Sequence, residues 1–373
     1  MKGTIGIVGG GQLGRMLSEP AIRLGYNVVV IDPTPDCPAS QAGAEQIVAD
    51  YRDADAVKEL AERSDFLTIE FEHINAEALR AVEGSVPVNP TPETIILIQN
   101  KYEQKVFLKQ QGFPVADFAE IKDIKQAVDL FNEWGGMIIK SKTDSFDGRG
   151  NALISDVGDI KQALDKFKGK EIFAEKIVDF TKELAVMVAK DVRGDLLTYP
   201  VVETVHKRNI CIEVYAPAEI DGPTAQKGRE IAKKAVSELK GAGVYGVEMF
   251  LDENGQILIN EIAPRVHNSG HYTMDMFAPS QFKQHILAIA GERLEEPKAT
   301  AEYCCMVNIL GERNGPVELK GVDEAKKIPG VSVYIYGKKP TKVDRKMGHI
   351  NALAGTMKEA KDNAKKARKL ISI

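Results

Sequence analysis

Cysteine is scarce in this chain of 373 residues, and the four present (Cys37, Cys211, Cys304, Cys305) show neither paired zinc spacing nor the density of a disulfide scaffold. They read as ordinary thiols of a reducing cytoplasm, with adjacent Cys304-Cys305 in the core of a strand. Long apolar runs are also missing, and none approaches the roughly 20 residues that a membrane span needs. The opening Met1-Lys-Gly-Thr-Ile-Gly-Ile-Val enters a strand pattern without the apolar centre of a signal sequence. The expectation is a soluble, unprocessed, cytoplasmic protein with no membrane role. There is no basic excess: 49 Lys and Arg face 54 Asp and Glu, a net charge of −5. That balance provides no overall field for non-specific nucleic-acid binding, so no nucleic-acid partner is expected. Internal repeats, low-complexity segments and a Walker A sequence are absent too.

What is present is enough apolar sequence, 43% of residues, to bury a sizeable core, in a chain too long for one average domain. Over the first hundred residues, short apolar runs (5–8, 28–31, 66–71) alternate with helical patterns (12–24, 53–63, 76–82), the βαβ rhythm of a parallel sheet. Pro20 should kink or shorten the first helix. From about residue 100 the order becomes helix, strand, Gly-rich loop and strand, through 137–141, 144–151 and 172–178. Strands then dominate from 183 to 262 around one long helix near 224–240, an α+β pattern. Beyond Pro297, short strands (303–310, 331–336) and a Lys-rich helix near 356–370 suggest a small closing domain.

Gly9-Gly-Gly11-Gln-Leu-Gly14 follows a strand and opens a helix, with Asp32 ending the next strand about 20 residues on, the dinucleotide-binding pattern. Such a turn brings backbone N–H groups at a helix N-terminus to an anion, and that anion need not be a pyrophosphate. Nothing downstream resembles a hydride-transfer site.

The runs Val244-Tyr-Gly-Val-Glu-Met-Phe-Leu-Asp252 and Gln256-Ile-Leu-Ile-Asn-Glu-Ile262 are joined through Asn254-Gly255, a strong hairpin signal. If Asn254 and Gly255 are the two central turn residues, Glu253 pairs with Gln256 and Glu248 lies opposite Glu261, with Cβ atoms roughly 4.5–5.5 Å apart. Opposed like charges destabilise a sheet unless something positive lies between them, and a divalent cation would serve. Magnesium suits two carboxylates plus substrate phosphates, with Asn260 as a neutral neighbour. A four-residue loop, or a lysine paired with Glu248, would give a different answer.

Lys140 precedes the polar loop Ser141-Lys-Thr-Asp-Ser-Phe-Asp-Gly-Arg-Gly-Asn151, which can fold over a triphosphate while Lys140 and Lys101 supply point charges; it can equally be a solvated hairpin turn. The strand segment Glu175-Lys-Ile-Val178 offers a backbone edge to adenine, with Glu183 for ribose hydroxyls. His206, in a basic cluster, touches phosphate or faces solvent.

Taken together, Lys101, Lys140, the Asp147-Gly-Arg-Gly loop, Glu175 to Glu183, Glu248 and Asn260-Glu261 resemble the ATP-grasp fold in order and spacing. Within it, Gly9-Gly-Gly-Gln-Leu-Gly-Arg-Met16, Phe146-Asp-Gly-Arg-Gly150, Ile259 through His271 and Arg345-Lys-Met-Gly-His349 closely resemble the 5-(carboxyamino)imidazole ribonucleotide synthase family of purine biosynthesis, over nearly the whole chain. The resemblance implies an α/β and α+β protein: a Rossmann-like pre-ATP-grasp domain (1–99), an ATP-grasp domain (100–296) and a small C-terminal β-rich domain (297–373). It implies that ATP phosphorylates bicarbonate to carboxyphosphate, whose carboxyl is captured by the amine of aminoimidazole ribonucleotide, with magnesium at Glu248 and Glu261. ATP contacts would come from Lys101, Lys140, Ser145, Phe146, Asp147, Gly148, Arg149, Gly150, Asn151, Glu175, Lys176, Ile177, Val178, Glu183, His206, Asn260 and Glu261. Asp147, Arg149, Arg265, His267 and Asn268 would line the reacting centre. Gln12, Leu13 and Glu70 would lie near the aminoimidazole nucleotide, whose phosphate Lys338, Arg345 and Lys346 would hold. A homodimer and a functional link to a downstream mutase are implied as well. The chain departs from the family pattern where Asp144-Ser145 replaces Gly-Gly, Phe146 replaces a tyrosine, and Lys342-Val-Asp344 replaces Arg-Pro-Gly.

Overall fold

A computed structural model describes residues 2–143 and 150–373. The first domain is built on a parallel sheet in the order Glu45–Ile47, Asn27–Ile31, Thr4–Val8, Phe66–Ile69. Successive side chains on a strand point to opposite faces. Ile5, Ile7, Val28 and Val30 accordingly enter one core cluster and Val8, Val29 and Ile31 another, so the sheet is covered on both sides. The helix Gln12–Arg23 runs through Pro20, and the Leu24 amide still bonds the Pro20 carbonyl at 2.9 Å. The expected shortening does not occur: the N–H that proline lacks removes one bond, and the buried face of the helix, Leu13 to Ala21, holds the last turn in place.

The second region has two antiparallel sheets. The smaller runs Phe118–Glu120, Ile172–Lys176, Met137–Ser141, Asn151–Ile154. The larger runs Ile257–Ala263, Gly243–Asp252, Phe180–Lys190, Val202–Lys207, Ile210–Ala216, then Tyr303–Leu310, Lys346–Ala354 and Val331–Ile335, with Leu196–Thr198 beside Phe180–Lys190. The last three strands come from beyond Pro297, so the C-terminal segment extends this sheet. Cys304 and Cys305 are both fully buried although they face opposite ways, because the helix Met357–Leu370 covers one side with Ala360 and Ala364 and the main core covers the other.

His285 fastens the first domain to the second. Its Nδ1 accepts the Val244 amide at 3.0 Å and its Nε2 meets the Thr68 hydroxyl at 2.8 Å. Burial holds the ring neutral, with a pKa of about 3. Among the described residues no helix is long and apolar enough to cross a membrane.

Candidate active site

The glycine turn ends against the protein's own carboxylates. The Gly11 amide donates to Glu70 Oε2 at 2.5 Å and the Leu13 amide to Oε1 at 3.1 Å, while Gly10 donates to Asp32 at 3.2 Å. The other Asp32 oxygen takes the Thr34 amide at 2.8 Å. A Cβ on Gly11 would stand 2.4 Å from Glu70 Oε1, and one on Gly9 2.8 Å from Glu70 Cβ. These glycines admit Glu70 to the positive end of the helix, where an anion is stabilised. The acidic residue that would bind ribose in a dinucleotide enzyme instead braces the turn. Burial pushes the Glu70 carboxyl up, against the two amides and the charge of Lys338.

The hairpin brings Glu248 opposite Glu261, by a different route from the one the Asn-Gly pair suggests. Its turn is one residue longer: Leu251 pairs with Ile257 and the Asp252 amide bonds Gln256, leaving Glu253-Asn254-Gly255 as the loop, with Gly255 left-handed at φ 75°. Three-residue loops with glycine in that conformation are a standard hairpin solution. The longer loop would put Glu248 opposite Asn260. A bulge between Met249↔Ile259 and Glu248↔Glu261 absorbs the extra residue and restores the opposition. Bulges re-aim side chains, and here Asn260 and Glu261, neighbours in sequence, both line one cleft.

The two carboxylates are not equivalent. Lys101 binds Glu261 at 2.9 Å and draws it down to about 2. Burial and the facing Glu261 push Glu248 up to about 7, and it meets Asn260 Nδ2 at 3.4 Å and His267 Nε2 at 3.5 Å. Among the described residues no three His, Cys, Asp or Glu side chains gather as a metal cage. Magnesium needs none, since one or two carboxylates plus phosphate oxygens suffice. The donor set of Glu248, Glu261 and Asn260 fits that ion.

Lys140 and the buried Lys105 hold Glu175 between them at 2.6 and 2.8 Å, lowering its carboxyl to about 2 despite burial. The Glu175 side chain is thus committed to the protein. His206, beside a bulge and before the tight turn Arg208-Asn209 (φ 53° and 62°), faces the cleft rather than solvent. Its Nδ1 lies 2.8 Å from Glu183, which holds the imidazole pKa up against burial.

The segment after the hairpin is clamped from behind. Gln281, fully buried, accepts the His267 amide at 3.0 Å and donates to its carbonyl at 2.8 Å. His267 Nδ1 accepts the Ser269 amide at 3.4 Å; a backbone N–H can only donate, so the ring proton sits on Nε2. Burial, Arg265 and Lys346 lower this histidine to about 3, so it is neutral. Asn268 and Asn308 exchange amide bonds at 3.1 and 2.7 Å. Arg265 pairs with Glu72 of the first domain through Nε at 2.5 Å and Nη2 at 3.1 Å. These elements enclose a cleft of about 1340 Å³ that also reaches Gln12, Leu13 and Glu70 at the glycine turn and Lys338, Arg345 and Lys346 of the C-terminal segment.

Three family models cover most of the chain: the ribonucleotide synthetase preATP-grasp domain (1–99), the ATP-grasp domain (106–282) and the phosphoribosylaminoimidazole carboxylase C-terminal domain (304–370). The chain is 37% identical over 351 residues to the N5-carboxyaminoimidazole ribonucleotide synthase of Bacillus subtilis, covering 93% of this chain and 90% of that one. The chain belongs to the N5-carboxyaminoimidazole ribonucleotide synthase family. It is also 42% identical over 372 residues to the phosphoribosylaminoimidazole carboxylase of Candida albicans, covering 96% of this chain but 65% of that longer relative. A solved Aspergillus clavatus N5-carboxyaminoimidazole synthase in complex with ADP and 5-aminoimidazole ribonucleotide superposes with a TM-score of 0.92 at 38% identity, covering 99% of both chains. The chain is built on the three-domain plan that these models describe.

Of the residues that the family resemblance nominates, Ser145, Phe146, Asp147, Gly148 and Arg149 lie outside the described residues. Gly150 is buried, its carbonyl accepting the Ser141 amide at 2.9 Å, and is not among the cleft-lining residues. The others, from Gln12 to Lys346, all line the one cleft. Sequence reading missed Glu72, Lys105, Gln281 and Asn308, none of which belongs to a recognisable motif. Glu72 carried the one available signal, lying two residues from Glu70 in Thr68-Ile-Glu-Phe-Glu72. The departure at Lys342-Val-Asp344 acquires a structural meaning: Asp344 is left-handed at φ 65°, where the family's glycine is at ease, and it binds Arg208 at 2.6 Å.

Proposed function

We propose that the chain carboxylates 5-aminoimidazole ribonucleotide with bicarbonate at the expense of ATP, through carboxyphosphate, giving N5-carboxyaminoimidazole ribonucleotide, ADP and phosphate in purine biosynthesis. The observation that carries this reading is the cleft itself, which is lined together by the opposed Glu248 and Glu261, by Gln12 and Leu13 of the glycine turn, and by Lys338, Arg265 and His267.

ATP lies with its adenine along Glu175, Lys176, Ile177 and Val178, its ribose at Glu183, and its phosphates near Lys101, Lys140, His206 and the loop from Ser145 to Asn151. Each lysine ammonium has three donors, so pairing with a carboxylate leaves others for phosphate oxygens. Glu248, Glu261 and Asn260 would hold magnesium, which when bound supplies positive charge to the transferring phosphoryl group. A bicarbonate oxygen attacks the γ-phosphorus as the bond to ADP breaks, and the amine then displaces phosphate from the carboxyl carbon. Arg265 and the Nε2–H of His267 are donors suited to the developing negative charge, with Asn268, Asp147 and Arg149 around the amine. Gln12, Leu13 and Glu70 bound the imidazole end, and Lys338, Arg345 and Lys346 take the ribonucleotide phosphate. The domain boundaries at 99/100 and 296/297, a cytoplasmic homodimer and delivery of the product to a mutase complete the reading, on the strength of the resemblance.

The test is phosphate release measured with each co-substrate omitted in turn. Release should require aminoimidazole ribonucleotide, bicarbonate and ATP together. Release driven by formate and glycinamide ribonucleotide would point to a different ATP-grasp ligase.

A further inference from the structure

A guanidinium has five N–H donors. In Arg265 the Nε–H and one Nη2–H go to Glu72, and one Nη1–H goes to the Val266 carbonyl at 3.2 Å. Among the described residues these are its partners, which leaves one hydrogen on each terminal nitrogen, the pair from which a fork onto a second planar anion is made. Glu72 is not free to turn away. Its carbonyl accepts from Gln99 Nε2 at 2.6 Å and from the Ile74 amide at 2.9 Å, and Gln99 also holds the Ile74 carbonyl at 2.9 Å. The turn that carries Glu72 is thereby tied to the end of the helix Pro92–Gln99. Both partners are largely shielded, with side chains 20% and 15% exposed, and the Glu72 carboxyl is held down to about 2 by the guanidinium despite its burial. A lone arginine would sample many rotamers in a cleft of this size, whereas a two-point grip fixes the plane of the guanidinium as well as its position.

We propose that Glu72 is a positioning residue for the carboxylation: its grip on one edge of Arg265 presents the remaining donors of that guanidinium to the carboxyl group in transit, as bicarbonate and then as the carboxyl of carboxyphosphate. The inference rests on the assignment of Arg265 to the reacting centre. Glu72 itself touches neither nucleotide in this scheme. An arginine set beforehand costs no reorganisation when charge develops, which is where a fixed donor exceeds a mobile one.

The test is Glu72→Gln, which keeps the shape of the side chain but offers one neutral acceptor, assayed for phosphate and for carboxylated nucleotide. The bicarbonate KM should rise at least about tenfold, and the ratio of phosphate released to product formed should climb above one as poorly held carboxyphosphate is lost to water. The ATP KM should stay within about twofold and the thermal midpoint within a few degrees. Glu72→Asp, which keeps the charge but withdraws it by one methylene, should give an intermediate rise and serves if the glutamine variant fails to fold. An unchanged bicarbonate KM and a ratio of one, or equal increases in the bicarbonate and ATP KM values, would reduce Glu72 to a strut between domains. Wild-type protein without bicarbonate-dependent turnover would overturn both this proposal and the functional reading beneath it.

Discussion

The glycine turn at residues 9–14 meets two acidic side chains and the hairpin at residues 243–263 carries two, and they are treated in opposite ways. At the turn, Glu70 and Asp32 are met by the amides of Gly10, Gly11, Leu13 and Thr34, so the positive end of the helix is neutralised from within. At the hairpin, Glu248 and Glu261 face each other, and among the described residues the lysine ion pair, from Lys101, goes to Glu261. As an anion site the turn is therefore already filled, although its sequence advertises dinucleotide binding. The hairpin is electrostatically incomplete, as the opposed carboxylates in its sequence lead one to expect. An anion site filled by the protein's own carboxylate offers little to a pyrophosphate, whereas two carboxylates without enough positive charge invite a cation.

The contrast is broken most directly at the hairpin. Glu261→Gln should cost at least about a thousandfold in magnesium-dependent turnover while the chain still folds, since it removes one of the two carboxylates that would hold the ion. Near-normal turnover would remove the metal from this pair. At the turn the reverse is expected. Gly11→Ala should lose about 2–4 kcal/mol in urea unfolding, because its Cβ would stand 2.4 Å from Glu70 Oε1 and displace the buried carboxylate from its amides. Unaltered unfolding, or tight NADH binding by the wild type, would show that the turn has room for an outside ligand.

A third experiment sets the two classes of carboxylate apart by pH. Glu248 is raised to about 7, so the folded protein keeps that proton longer than the unfolded chain does. Its contribution is fully present below the ordinary carboxylate range near 4.5 and is lost as pH rises through 7, lowering stability by up to about 3 kcal/mol when no metal is added. Glu72 and Glu175 are lowered to about 2 by their basic partners, so their contribution is present above 4.5 and lost as pH falls through 2. Thermal midpoints across pH should show both declines. Saturating MgATP should abolish only the first, and a metal-insensitive decline near neutrality would contradict the cation reading. The smallest effect belongs at the rim. Asp344→Gly removes an ion pair whose arginine is 67% exposed, so it should change stability by no more than about 1 kcal/mol and leave the ATP KM nearly unaltered.

How far the site could be read from sequence differs between these regions for a physical reason. The apolar runs 5–8 and 28–31 and the helical period of 12–24 mark the strands and the helix of the first domain directly, because a strand buried on both faces is apolar throughout. The Asn254-Gly255 pair correctly announces a hairpin, but turn residues announce a turn without fixing its length. The opposition of Glu248 and Glu261 survives because a longer loop and a bulge at Asn260 cancel, and neither leaves a mark in the pattern of apolar and polar residues. Likewise, nothing in Pro20 reveals that the surrounding core will carry the helix past it.

The sequence by itself determined the βαβ rhythm, the antiparallel hairpin and, through the run from Ile259 to His271, the family to which the chain belongs. These are properties of neighbouring residues, set by side-chain period, turn chemistry and motif. The tertiary structure alone decided what fills the glycine turn, which carboxylate of the hairpin Lys101 holds, that Glu72 meets Arg265 in the cleft, and that Lys105, Gln281 and Asn308 stand behind it. Each of those depends on a partner as far as 193 positions away, as Glu72 is from Arg265. Local sequence specifies which groups need a partner, and only the packing of distant elements determines which partner they meet.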